Sequence, residues 1–258
     1  MLLTDTYRRL AHVCDDLRVE VLETRQAVDG PGGTWLSMAE LVADPEMLAA
    51  ALDGESARIL AAHGSPARSD VAASRLLHRQ LWSVGLLISG PWFLAGQVPR
   101  LTPDRLWTDP VSGDFALAPG DFDVTATDAP QAVRASVEEF VRPLLNAFRP
   151  RVRRGPRALW GMAGDDLVSG LWYLGRTLGE EQRAVHAAES LLPGPGGTGP
   201  FPDGANFRTI HGPSGRLHLT RTRTGCCLNY TIKQGRACGT CPRLSDTERL
   251  RRLEAAPA

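Results

Sequence analysis

The sequence predicts an α+β fold, with a mainly helical N-terminal part and short antiparallel strands around a C-terminal cysteine loop. Segments of helical periodicity come first along the chain, and strand-type alternation of apolar and polar residues follows near the C-terminus. No alternating β-α-β rhythm is visible, which argues against a doubly wound sheet. The 258 residues suffice for a sizeable core. We expect a boundary near residue 150, with a mainly helical region at 1–150 and the cysteine-bearing region at 151–258.

Helices are predicted where apolar residues recur at three- and four-residue steps or where capping signals stand. These segments are 4–24, one or two helices in 37–62, then 69–89, 131–148, 158–178, 180–192 and a short helix capped by Ser245 and Glu248. Pro45 suits the first turn of its helix. Gly90-Pro91 is expected to end the helix 69–89. Cys14 lies on the apolar stripe of the first helix, so we interpret it as a small buried hydrophobe.

Strands and loops are predicted from alternation and from helix breakers. The predicted strands are 122–126, 216–224 and 229–232, the last two flanking a pair of cysteines. Turns or loops are predicted at Asp29–Gly33 and at 193–200. The arginine-rich loop 149–157 is either a solvated connector or a docking patch for an anionic ligand or an acidic protein.

Four of the five cysteines lie close together near the C-terminus, as Cys226-Cys227-x10-Cys238-x2-Cys241. Four thiolates match the ligand count of a [2Fe–2S] cluster or of a structural zinc ion. Disulfides are the other possibility. Asp5, Arg8 and Arg9 stand where a secretion signal would need apolar residues, so we expect a cytosolic chain, in which clustered cysteines more often bind metal.

The spacing favours iron–sulfur over zinc without excluding zinc. Only Cys238 and Cys241 form a zinc-knuckle pair. Cys226 and Cys227 are adjacent and would point to opposite faces of an extended chain, so the backbone must bend there, and Gly225 can permit the bend. A two-iron cluster accommodates such a pair more easily than one zinc ion does. His211 and His218 stand upstream, but four cysteines leave no need for a histidine ligand.

The residues around the cysteines resemble those of the FhuF-type ferric-siderophore reductases. Arg223-Thr-Gly-Cys-Cys-Leu-Asn-Tyr230 is similar to that family's basic-x-x-Cys-Cys-Leu-x-Tyr stretch, and Cys238-Gly-Thr-Cys-Pro242 is similar to its Cys-Gly-x-Cys-Pro ending. Ala158-Leu-Trp-Gly161 looks like the start of the helix that precedes the cluster region. The resemblance covers roughly 157–244. The loop 231–237 departs from the Pro-Gly-rich turn expected there.

This resemblance implies a cytoplasmic [2Fe–2S] protein that passes one electron to Fe(III) held in a siderophore, so that Fe(II) is released. It implies that Cys226, Cys227, Cys238 and Cys241 are all cluster ligands. The electron would come from an external donor such as a ferredoxin or flavoprotein, and we expect residues 1–150 to contribute to the substrate site. Two alternatives stay open: an iron–sulfur electron carrier or redox sensor without its own substrate, and a zinc-stabilised interaction domain.

The net charge and the hydropathy of the chain argue against nucleic acid as a partner and against a membrane span. The net charge is zero, which argues against general nucleic-acid affinity, and no run approaches the roughly 20 apolar residues of a membrane span. Basic residues near the ligands are expected to offset cluster charge and to help dock substrate or donor. They are Arg221, Arg223, Lys233, Arg236 and Arg243. We expect an exposed cluster edge within 225–241, and Trp160 and Trp172 in the core.

Overall fold

The computed structural model describes residues 2–22, 30–123, 128–192, 194, 196, 199–213, 215–233 and 235–255. The helices in these residues are α1 Leu3–Val13, α2 Met38–Ala43, α3 Pro45–His63, α4 Ser69–Ala95, α5 Ala129–Phe148, α6 Pro156–Thr177, α7 Glu181–Leu191 and α8 Asp246–Ala255. The strands are β1 Val19–Val21, β2 Leu36–Ser37, β3 Val98–Pro99, β4 Leu106–Thr108, β5 Phe115–Leu117, β6 Phe122–Asp123, β7 Phe207–His211 and β8 Leu217–Arg221. The predicted α+β class is confirmed.

Helix α4 is the centre of the core, and it packs against α1, α3, α5 and α6. It lies closest to α6 where both helices carry glycine. A Cβ atom added to Gly85 would lie 3.1 Å from Leu167 Cα, and one added to Gly170 would lie 3.3 Å from Leu86 Cβ. The two glycines therefore set how closely these helices approach.

The expected end of α4 at Gly90-Pro91 is wrong, because the helix continues to Ala95. Gly90 lies against α1, and an added Cβ would come 2.7 Å from Leu10 Cδ2. The free energy gained by burying this last stretch exceeds the cost of the hydrogen bond that Pro91 cannot make. Gly96, with φ of 67°, ends the helix in the left-handed conformation that glycine adopts readily.

The first predicted helix is also too long. It ends at Val13, and Val19–Val21 instead forms a strand parallel to β5. Cys14 is fully buried, as predicted. Burial, followed by the charges of Asp15 and Asp16, raises the pKa of its thiol to about 12.

The remaining helix predictions are confirmed with small shifts in their ends. Pro45 stands in the first turn of α3, with Asp44 as the N-cap. Glu248 N–H donates to Ser245 Oγ at the start of α8 (3.3 Å). The strands β1 to β6 form two small sheets, one in the order β1-β5-β4-β2 and one pairing β3 with β6. Asp29, residues 124–126 of the predicted strand, and part of the predicted loop 193–200 lie outside the described residues.

The strand predictions near the cysteines are partly wrong. β8 confirms the segment 216–224, but its antiparallel partner is β7, which precedes it. The predicted strand 229–232 is instead a 3-10 turn at Asn229–Thr231. Leu228 has a φ of 62°, which is incompatible with an extended strand entering that turn. The β7–β8 hairpin therefore precedes the cysteine loop, whereas the prediction placed one strand on each side of the cysteine pair.

The predicted boundary near residue 150 falls between α5 and α6, and it stays a prediction. One hydrophobic cluster runs from Leu3 to Ala205 and includes residues on both sides of that boundary. Among the helices that the structure describes, none has the length and apolar character of a membrane span.

Replacing Gly85 by valine should lower the stability of the fold. The added side chain would meet the α6 backbone at Leu167, which cannot move without shifting the helix, and overpacking of this kind costs about 1–3 kcal/mol. Urea unfolding followed by circular dichroism measures the change. Gly155→Ala is the matched control, because nothing lies within 4 Å of its added Cβ. A stability for Gly85→Val equal to that of the control would contradict the close α4–α6 contact.

Candidate metal centre

All four cysteines of the C-terminal cluster line one small cavity. The other lining residues are Gly225, Asn229, Tyr230, Ala237 and Pro242. Cys241 and Cys227 are buried, at 2% and 7% exposure, whereas Cys238 is exposed. The chain thus brings together the side chains that the spacing singled out, and it leaves one of them at the surface, within the edge expected at 225–241.

The thiols interact with one another across this cavity. Burial raises the pKa of Cys226, and the neighbouring thiols of Cys241 and Cys227 raise it further. Burial also raises the pKa of Cys238, against the opposing charge of Arg223. At these two cysteines the neutral thiol is therefore favoured, so binding a metal through them must release protons.

The bend at the adjacent cysteines is made by Leu228, whereas Gly225 was the expected residue. Leu228 is left-handed, and its N–H donates to Cys226 Sγ at 3.4 Å. Gly225 serves a different purpose, since a Cβ there would lie 3.1 Å from Met162 Cα on α6. Its missing side chain lets the backbone ahead of Cys226 lie directly against the helix.

Asp165 of α6 anchors that backbone. It accepts hydrogen bonds from Gly225 N–H (2.6 Å) and Thr224 Oγ1 (3.2 Å), and it forms an ion pair with Arg221 (2.6 Å). Arg221 also donates to Ala205 O and Ser169 Oγ. Because Arg221 is completely buried, the expectation that it docks substrate or donor is wrong. Its guanidinium group instead joins β8 to α6 through the ion pair with Asp165.

Arg223 is likewise buried, at 4% exposure, so it too offers no docking surface. It pairs with Asp166 at 2.7 Å, and His78 Nδ1 lies 2.7 Å from the same carboxylate oxygen. Burial alone would lower the pKa of Arg223, but Asp166 and Asp165 raise it above its ordinary value. Its backbone N–H donates to Thr240 O (3.0 Å), which ties the two halves of the cysteine loop together.

Two arginines of α8 hold the second half of the loop. Arg249, 1% exposed, donates to Gly239 O, Cys241 O (3.1 Å) and Leu244 O (3.4 Å). Arg252 donates to Ala237 O at 2.6 Å. Carbonyls on both sides of Cys238 are therefore satisfied from a helix that follows the loop in the chain.

The N-terminal region and the arginine-rich loop also contact the site. Arg75 of α4 donates to Asn229 Oδ1, and Ile232 packs in a cluster with Val71 of the same helix. Arg154 donates to Cys226 O, so the loop 149–157 supplies at least one side chain to the site. Burial lowers the pKa of Arg154, which the thiols of Cys226 and Cys227 oppose.

Three of the five basic residues predicted for docking are exposed, namely Lys233, Arg236 and Arg243. Arg243 stacks over the ring of Tyr230, 4.9 Å from its centroid, and Tyr230 lines the cysteine cavity. Positive charge therefore surrounds the exposed side of the loop. The docking role of these three residues stays a prediction.

Trp160, Trp172, His211 and His218 precede the cysteines in the chain, and none of them lines the cysteine cavity. Trp160 packs edge-on against Phe201 (5.4 Å between ring centroids) and against the main hydrophobic cluster, as expected for a core residue. Trp172 packs edge-on against Phe207 (5.4 Å) but is only partly buried, with Arg176 over its ring, so the core position expected for it is not observed. Buried His218 bonds Glu254. Neither His211 nor His218 lines the cysteine cavity.

The donor set fits a [2Fe–2S] cluster in number and in chemistry, since four soft sulfur ligands share one cavity. Arg223 adds to this fit, because its buried guanidinium group interacts electrostatically with Cys238 and Cys227. Within the described part of the chain its Nε has no hydrogen-bond partner and lies 3.9 Å from Asp165 Oδ2. In those same residues, no three side chains of His, Cys, Asp or Glu converge closely enough to hold a single metal ion.

Comparison with known proteins matches residues 223–243 to the model of the FhuF 2Fe-2S C-terminal domain. The match contains all four cysteines and confirms the resemblance to the FhuF-type family over this segment, together with its [2Fe–2S] cofactor. Among curated proteins, none matches the chain.

Sequence reasoning missed Asp165, Asp166 and Arg249. The two aspartates carried a usable signal, because adjacent carboxylates in the otherwise apolar helix 158–178 need partners when buried. No comparable sequence signal marks Arg249, because α8 contains several arginines and only the packing shows which one is buried.

Replacing Arg249 by glutamine should loosen the cysteine loop and reduce the iron that the purified protein retains. Unsatisfied buried carbonyls cost about 1–3 kcal/mol, and these carbonyls stand next to Cys238 and Cys241. Iron content per chain and visible absorption measure the effect. Arg251→Gln is the control, because Arg251 is exposed on the same helix and pairs with Glu248. Equal iron retention in the two variants would show that Arg249 does not hold the site.

Proposed function

We propose that this protein is a cytoplasmic ferric-siderophore reductase, in which one electron passes to siderophore-bound Fe(III) and Fe(II) is released. The observation that carries the proposal is the arrangement of four cysteines around one cavity, within a segment that matches a 2Fe-2S domain, with Cys238 at the surface. An exposed edge suits electron exchange with a partner too large to enter the protein.

In this proposal Cys226, Cys227, Cys238 and Cys241 hold the cluster as thiolates. A bound [2Fe–2S] cluster supplies one electron at a time. Four thiolates on two irons carry net negative charge, and buried negative charge needs compensation. Arg223 and Arg154 are placed for this task, because both interact electrostatically with the cysteine thiols. Such cations favour the reduced state and raise the reduction potential.

In this proposal, release of the iron follows from the ligand chemistry of the siderophore. Hydroxamate and catecholate oxygens are hard ligands that suit Fe(III) better than Fe(II), so one-electron reduction loosens the chelate. Each turnover converts one Fe(III) to Fe(II), and an external ferredoxin or flavoprotein restores the electron. The chain needs no nucleophile and no acid–base pair for this reaction; it must hold the cluster and dock two partners in turn.

Docking is assigned in this proposal to the exposed basic residues Lys233, Arg236 and Arg243. Their charge attracts both an anionic ferric chelate and an acidic electron donor. Because exposed charges are screened by salt, the rate of electron delivery should fall as ionic strength rises.

Each of Cys226, Cys227, Cys238 and Cys241, when changed to serine, should abolish the visible spectrum of the anaerobically purified protein or shift it strongly. Serine is a harder ligand and a poorer match for the cluster. Cys14→Ala is the matched control and should keep the spectrum, because Cys14 is buried in the N-terminal core. A variant at one of the four positions with an unchanged spectrum and iron content would remove that cysteine from the ligand set.

Reduced protein should show a spin-half EPR signal, and a ferric siderophore should abolish it anaerobically while Fe(II) appears in an equal amount. Ferrozine absorbance and EPR measure the two sides of the exchange, and hydroxamate, catecholate and citrate chelates test the substrate range. Failure with every chelate would leave an electron carrier or sensor. A colourless protein holding one zinc ion would instead identify an interaction domain.

A further inference from the structure

A cavity of about 450 Å³, separate from the cysteine cavity, is lined by residues of α3, α4 and α6 and of the segment after α1. Its lining residues are Asp16, Glu55, Arg75, His78, Arg79, Trp82, Ser169 and Tyr173. The volume is in the range of small-molecule sites. The lining combines cationic side chains with two aromatic rings, and none of these residues belongs to the segment 223–243.

Positive charge is concentrated at one end of this cavity. Buried Glu55 pairs with Arg58 (2.9 Å), Arg75 (3.4 Å) and Arg79 (2.9 Å). At this end the two lining arginines, Arg75 and Arg79, outnumber Glu55 by one charge, whereas Asp16 lines the aromatic end, where its N–H donates to Tyr173 OH, so the lining as a whole is neutral. In addition, Arg79 Nε is buried and has no hydrogen-bond partner within the described residues. The arginines at this end thus carry more charge than Glu55 offsets.

The aromatic end is formed by Trp82 and Tyr173, whose rings meet edge to face at 5.5 Å between centroids. Both rings line the cavity and are only partly buried. A third ring placed against this pair would gain the usual aromatic contact. Arg75, Arg79 and His78 are each 28–32% exposed at the side chain, so a ligand can reach them.

We propose that this cavity binds an aryl anion, with its ring against Trp82 and Tyr173 and its acid group on Arg75 and Arg79. Guanidinium groups bind carboxylates through paired, charge-assisted hydrogen bonds. The cavity adjoins the cysteine site, because Arg75 also donates to Asn229 and His78 also contacts Asp166. A bound anion therefore competes for side chains that support the cysteine loop.

Benzoate is the probe, titrated into the purified full-length protein by isothermal calorimetry. We expect saturable binding, with benzamide at least about tenfold weaker because it lacks the charge. Inorganic phosphate should also bind about tenfold more weakly or worse, because it has no ring to place against Trp82. Absence of saturable benzoate binding, or equal binding of benzamide or phosphate, would overturn the proposal whichever variants fold.

Two arginine variants locate the site. Arg79→Gln should weaken benzoate binding about tenfold or more, whereas Arg58→Gln should change it by less than about twofold, since Arg58 bonds the same Glu55 but does not line the cavity. Unchanged binding in a folded Arg79→Gln protein would place benzoate elsewhere. Thermal unfolding confirms that both variants are folded, and Trp82→Phe provides a second test should Arg79→Gln not fold.

The aryl anion could be a free acid or part of a ferric chelate, and competition separates the two sources. Displacement of benzoate by the iron complex of 2,3-dihydroxybenzoate, at a concentration at which the iron-free acid does not displace it, identifies the chelate, an outcome that rests on the proposed reductase function. Lack of displacement, with benzoate still bound, identifies a free aromatic acid. Because calorimetry measures no turnover, failure of this proposal is distinguishable from failure of the proposed function.

Discussion

The buried ion pair of Asp165 and Arg221 is the interaction on which the cysteine site depends. Asp165 stands in the middle of α6, bonds Arg221 at the end of β8, and accepts the N–H of Gly225 one residue before Cys226. A buried charge that loses its partner costs several kcal/mol, so neither side chain can leave alone. The helical core therefore determines where the first two cysteines lie, because they closely follow the β7–β8 hairpin that Arg221 joins to α6.

The loop is held from three directions, which explains why so little regular structure surrounds it. Asp165 and Asp166 fix its first part, Arg249 fixes its second part from α8, and Arg75 with Ile232 connects it to the N-terminal helices. Irregular backbone is tolerated where side chains satisfy its polar groups. Arginine is suited to this task because one guanidinium can serve several carbonyls at once.

The sequence predicted what depends on local pattern and missed what depends on distant partners. Helical periodicity located most helices, and the cysteine spacing with its flanking residues located the cluster segment that the family match confirms. The continuation of α4 past Pro91 depends on packing against Leu10, and the turn at Asn229 depends on left-handed Leu228. Arg221 looked like a surface cation because its partner, Asp165, lies 56 residues away in the chain. The ligand role of each cysteine and the docking role of Lys233, Arg236 and Arg243 remain predictions.

The position of Arg249 has a consequence for how the protein is made. This arginine follows Cys241 by eight residues and supplies hydrogen bonds to the carbonyls around the last two cysteines. While the chain is being synthesised, all four cysteines leave the ribosome before α8 can fold back over them. The site is therefore completed only after α8 has been synthesised, and until then its thiols are exposed to oxidation and to competing metals.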